Sequence, residues 1–204
     1  MPNYIQSIRR VPKPGKIDTV LQNTIDSFKS LNRRGSVSIT VSNPVDVDLV
    51  VQTDIPIGQM SDVEGFHDAF RSNPDAVKRF DDIASDCEKV NLHLFKVIES
   101  GDFKGRKYNL RNILIAKRGE IQNLIDLMRE FRSMMEVAKP LLTVPVGGDV
   151  DMVRGVIAVA SLEELEAVVN EITGERMKPY LDRISSLTVR AHREVNRVEY
   201  RSQG

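Results

Sequence analysis

The chain has 204 residues and balances 29 Lys+Arg against 29 Asp+Glu, so it lacks the basic excess of a dedicated nucleic-acid surface. Its hydrophobic share of 41% and charged share of 28% are those of a globular protein, enough for one large domain or two of about 100 residues each. Cys87 is the single cysteine, the N-terminus has no apolar leader stretch, and no apolar run nears the ~20 residues of a membrane span. A cytoplasmic chain without internal disulfides is expected.

In chain order, residues 3–11 read as a strand, and Pro12-Lys13-Pro14-Gly15 as the turn that ends it. Ile17, Val20, Leu21, Ile25, Phe28 and Leu31 fall at helical spacing, so a helix is predicted from Ile17 to Leu31, stopped by Asn32-Arg33-Arg34-Gly35. Two strands follow, Ser36–Val41 and Val47–Thr53, joined as a hairpin through Ser42-Asn43-Pro44-Val45. Ser61-x-x-Glu64 fits a capping box at the start of a second helical region reaching about Lys89, broken near Asn73-Pro74. Val90–Glu99 reads as a strand and Ser100–Gly105 as a linker. The second half is predicted as strand 107–115, helix 120–137, strands 140–146 and 150–159, helix 161–184, and a last strand at 187–200.

The two halves are diverged copies. Tyr4, Lys13, Gly15 and Ile17 match Tyr108, Lys117, Gly119 and Ile121 at an offset of 104. Asp46-Val47-Asp48 matches Asp149-Val150-Asp151 at 103, Ser61-x-x-Glu64 matches Ser161-x-x-Glu164 at 100, and Val90-x-x-His93 matches Val189-x-x-His192 at 99. Each copy runs strand, helix, strand, strand, helix, strand, a ferredoxin-like unit. Such a sheet carries its helices on one face and must cover the other, and a tandem copy supplies the cover. The expected fold is therefore α+β: two ferredoxin-like repeats, 1–100 and 106–204, packed sheet to sheet as a pseudo-two-fold α+β barrel.

Phe66-His67-Asp68-Ala69-Phe70-Arg71-Ser72-Asn73-Pro74, after Ser61-x-x-Glu64 and before Lys78-Arg79-Phe80, resembles a stretch of the dimeric α+β barrel superfamily. That superfamily includes the antibiotic-biosynthesis monooxygenase-like and stress-responsive barrel proteins. The resemblance covers nearly the whole chain as two fused copies. It implies a small-molecule pocket inside the barrel, a role for His67 at the pocket mouth, and a cofactor-independent oxygenase- or isomerase-like activity. Oxygenase and haem-degrading members use a pocket Trp, and this chain has none.

Among the residues themselves, His93 and His192 occupy matching places in the last strand of each copy, so both imidazoles could serve as bases or polar contacts to one ligand. Arg10, Arg111 and Arg193 lie on strands, where a partly buried guanidinium suits a carboxylate or enolate. Tyr4 and Tyr108 open the first strands and are candidate hydrogen-bonding groups. Three dispersed His and one Cys offer no metal-ligand spacing, and no Gly-rich phosphate loop occurs, so neither metal nor cofactor is expected. The expected partner is a small-molecule ligand, with no nucleic acid or membrane, on a monomeric pseudo-dimer or a homodimer. The alternative is a non-catalytic interaction or regulatory module, its interior filled with aliphatic side chains and methionine.

Overall fold

The computed structural model describes residues 2–31 and 34–202, which leaves Asn32 and Arg33 of the expected helix stop outside the described residues. The chain divides into two compact units. The first runs to Phe95 and resumes at Val198; the second is Lys96–Arg197. In order, the elements are β1 (Tyr4–Pro12), α1 (Ile17–Ser30), β2 (Ser36–Ser42), β3 (Val51–Ile57), α2 (Met60–Arg71), α3 (Pro74–Ser85) and β4 (Cys87–Glu99). The series then repeats as β5 (Tyr108–Ala116), α4 (Ile121–Met134), β6 (Leu141–Pro145), β7 (Met152–Val159), α5 (Leu162–Thr173), α6 (Lys178–Leu187) and β8 (Thr188–Arg201). The hydrogen-bonded strand order β1-β3-β2-β8-β5-β7-β6-β4 closes as a barrel, which is the expected α+β fold.

Alternation decides which face of each sheet meets the helices. In the first unit Val51, Ile55 and Ile57 of β3 pack with Val20, Ile25 and Phe28 of α1 and Ile83 of α3. Tyr4, Gln6, Ile8 and Arg10 of β1 lie opposite Ile57, Ile55, Thr53 and Val51, so they share that face. In the second unit Leu110, Leu114 and Ala116 of β5 join Leu124, Leu127, Met128 and Phe131 of α4 and Val168 and Ile172 of α5. Burying each such side chain contributes about 1.5–3 kcal/mol. Gly35 is held at φ 143, and a Cβ there would lie 2.3 Å from the Asp54 carbonyl oxygen, so no larger residue fits without moving β3.

Three expectations are corrected. The third strand runs Val51–Ile57, beyond the predicted 47–53, because a turn occupies Pro44–Val47, where Val47 N donates to Pro44 O at 3.0 Å. Pro56 is tolerated inside it: β2 begins at Ser36, opposite Asp54, so the side on which Pro56 lacks its N–H has no strand to lose. The predicted helix 161–184 is two helices, parted after Thr173 by Gly174 and restarted with Pro179 in the first turn of α6. Finally, α2 starts at Met60, and its N-cap is Gln59 rather than Ser61. Asp62 accepts from the Gln59 backbone N–H at 2.8 Å, while Ser61 is exposed in the first turn. The Asn73-Pro74 break is as expected, with Asn73 Oδ1 accepting from Ala76 N at 3.1 Å.

Candidate functional site

Within the second unit a groove of about 530 Å³ opens between the sheet and its helices. Leu114 and Asn112 of β5 form its floor with Ala191 and Arg193 of β8, which stand directly opposite them in register. Helix α4 contributes Met128 and Phe131, α5 contributes Ile172, and α6 contributes Leu181, Ile184 and Ser185. The volume falls within the usual range for small-molecule sites, ~300–1,000 Å³, and the lining mixes an apolar wall from the helices with polar groups along β8 and at Asn112. Resemblance had placed a pocket inside the barrel; this groove lies on the helix side of one unit's sheet.

The polar anchor is a cross-strand pair. Arg193 Nε donates to Asn112 Oδ1 at 2.9 Å. Partial burial pushes the Arg193 guanidinium below its ordinary pKa, yet it remains a cation near neutral pH. Among the described residues its terminal nitrogens meet no carboxylate, and no Asp or Glu lines the groove. Beyond Asn112 in the same row stands Gly155 of β7, whose missing side chain leaves room for the Met128 methyl 3.6 Å from where a Cβ would be.

His192 lies at the strand edge of the groove, its Nε2 3.7 Å from Glu194 Oε1. Alternation puts it on the other face from Arg193. On that face Arg111 stands directly opposite Glu194, with exposures of 2% and 1%, so a buried cation and a buried carboxylate share one register step. Arg154 is buried on β7 and donates to Thr143 Oγ1 at 3.2 Å. Among the described residues no three His, Cys, Asp or Glu side chains gather as for a metal ion.

The remaining candidates disperse. His67 sits on α2 of the first unit with its ring edge-on to Phe66 at 5.5 Å, and His93 sits on β4 with its ring 5.9 Å from Phe95. The His93 backbone carbonyl accepts from Gln6 Nε2 at 3.1 Å. Tyr4 and Tyr108 pack against the cores of the first and second units. Arg10 is buried beneath α3, donating to Thr53 Oγ1 at 3.0 Å with its guanidinium 5.8 Å from the centre of the Phe80 ring.

Equivalent backbone bonds correct the pairing of the two strand histidines. Lys13 N donates to Asp86 O in one unit and Lys117 N donates to Leu187 O in the other, which fixes the offset at this strand as 101. His93 therefore corresponds to Glu194, and His192 to Asn91. The 99-residue match is a coincidence of Val-x-x-His spacing. By the same offset, and 104 for the first strand, the groove residues Leu114, Leu181, Ile184 and Thr188 correspond to Arg10, Phe80, Ile83 and Cys87. Asn112 and Arg193 correspond to Ile8 and Leu92, so only the second unit carries the polar pair. Sequence reasoning missed Asn112, although one amide on an otherwise apolar strand face, Leu110 to Ala116, was a usable signal.

No protein-family profile and no curated protein matches the chain. Solved structures match at the level of the fold. A candidate monooxygenase from Fusobacterium nucleatum superposes with a TM-score of 0.70 at 10% identity, over 97% of this chain and 92% of that one. An anthrone oxidase-like protein gives 0.68 at 11% identity, over 99% and 94%. A ferredoxin-fold protein of Listeria monocytogenes related to antibiotic biosynthesis monooxygenases gives 0.51 at 8% identity, over 98% and 96%. The chain thus has the α+β barrel fold of these proteins. No helix among the described residues is long and apolar enough to cross a membrane.

Proposed function

We propose that this protein binds a small, mainly apolar molecule in the groove of its second unit. One observation carries the reading: a cleft of about 530 Å³ with an apolar helix wall has a half-buried guanidinium on its floor, steadied by Asn112. The matching positions of the first unit are Ile8 and the exposed Leu92, neither of which carries a side-chain hydrogen-bonding group, so the polar pair is particular to the second unit's groove. Structures sharing the fold include a candidate monooxygenase and an anthrone oxidase-like protein, which agrees with a small-molecule ligand. Whether the bound molecule is also converted is decided by the same experiment.

That experiment is a titration with the neutral apolar dye N-phenyl-1-naphthylamine, followed by fluorescence. Saturable enhancement is expected, and Ala191→Trp, which places bulk on an exposed part of the floor, should abolish it while the far-UV spectrum stays unchanged. An Ala191→Trp protein that binds the dye as before would overturn the assignment of the groove. Incubating the protein with displacing apolar compounds and analysing them by mass spectrometry separates a binder from an enzyme.

A further inference from the structure

We infer that the natural ligand of the groove ends in a carboxylate, which Arg193 receives; the inference rests on the groove being the ligand site. Arg193 stands on the groove floor and no acidic side chain lines the groove, so the local field favours an anion. Arg193 is held in place through Nε, the one nitrogen bonded to Asn112 Oδ1. That leaves the two terminal nitrogens as a planar pair, the geometry that binds a carboxylate through two parallel hydrogen bonds. A buried or half-buried cation is costly without an anion, and among the described residues the protein supplies Arg193 with none. The apolar wall of Leu114, Met128, Phe131, Ile172, Leu181 and Ile184 then fits a hydrocarbon or aromatic body. The ligand class is an amphiphilic monoacid, its charged end at the sheet and its apolar body beneath α4 and α6.

Decanoate and decanol, which share a chain and differ in the end group, test this by displacing the bound neutral dye. Decanoate is expected to compete at least tenfold more strongly than decanol, with an affinity that falls as salt rises. Arg193→Met should remove that preference, so that acid and alcohol compete alike, and Arg193→Lys, which keeps the charge but loses the planar pair, should retain only part of it. Equal competition by acid and alcohol, or a preference for decanoate that survives Arg193→Met, would overturn the inference while the groove reading stands. Failure of the dye to bind at all, with neither compound detected by calorimetry, would remove the groove reading and this inference together. Asn112→Ala gives a second check that spares the charge: decanoate should weaken more than decanol, narrowing the preference between them.

Discussion

Arg10 holds in β1 the place that Leu114 holds in β5, and its guanidinium lies over Phe80, the counterpart of Leu181. One groove position is thus a floor of methyl groups in the second unit and a cation stacked on an aromatic ring in the first. The polar pair has diverged as well, to Ile8 and Leu92. A duplicated chain with two ancestral grooves is therefore expected to bind one ligand, not two. Calorimetric titration with decanoate should give a stoichiometry near one per chain. A value near two would mean that the buried Arg10 region opens, and that the substitutions at Ile8 and Leu92 do not matter for binding.

Arg10 also makes a prediction about stability. Burial, opposed in part by Cys87, pulls its pKa from the ordinary guanidinium range down to about 10. A base with a depressed native pKa binds fewer protons folded than unfolded, so its penalty is full below about 10 and fades as pH climbs above that value. At neutral pH the penalty is on the order of 3 kcal/mol, offset by the Thr53 bond and the Phe80 contact. Arg10→Met is expected to raise stability by about 1–2 kcal/mol in urea unfolding at neutral pH. The gain over wild type should shrink once the pH passes about 10. A lowered midpoint would show that stacking on Phe80 outweighs desolvation.

Helix caps give a sharper test of how the two copies align. Ser161 Oγ accepts from Glu164 N at 3.2 Å, whereas its sequence match Ser61 lies one residue inside α2. Ser161→Ala should cost about 1 kcal/mol and Ser61→Ala less than about 0.5 kcal/mol. Asp62→Ala should cost more than Ser61→Ala, because Asp62 is the side chain that accepts from the Gln59 amide. Equal losses at Ser61 and Ser161 would restore the alignment that the backbone bonds deny.

That contrast shows what was legible in the sequence and what was not. Period-two and helical spacing are local signals, so the strands around Tyr4 and Tyr108 and the stripes through Val20 and Leu124 could be read directly. The duplication then implied a closed sheet. The groove was not legible in this way, because it depends on which residues face one another across β5 and β8. Asn112 and Arg193 are 81 positions apart, and nothing local to either announces the other. Glu194 was hidden for the same reason: in Glu194-Val-Asn-Arg-Val-Glu199 a carboxylate looks solvated, and only the register with Arg111 shows it buried. The histidine pairing failed because two short matches can align at the wrong offset while every element length stays plausible.

Cys87 gives a last prediction, one that separates a packed first unit from an open one. Its thiol is buried where α3 turns into β4, and Sγ donates to the Ile83 carbonyl at 3.3 Å. Desolvation raises its pKa above the ordinary value, with Arg10 pulling the other way by its positive charge. Since the thiolate is the reactive form, both burial and protonation slow attack on a disulfide reagent. Reaction with 5,5′-dithiobis(2-nitrobenzoate) at mildly alkaline pH should be at least about tenfold slower in the native protein than in concentrated guanidinium. Arg10→Met should slow it further, because the larger of the two cationic influences that favour the thiolate, Arg10 ahead of Lys13, is gone. If Arg10→Met instead speeds the reaction, the arginine acts chiefly as a plug, and removing it opens the first unit's groove to solvent.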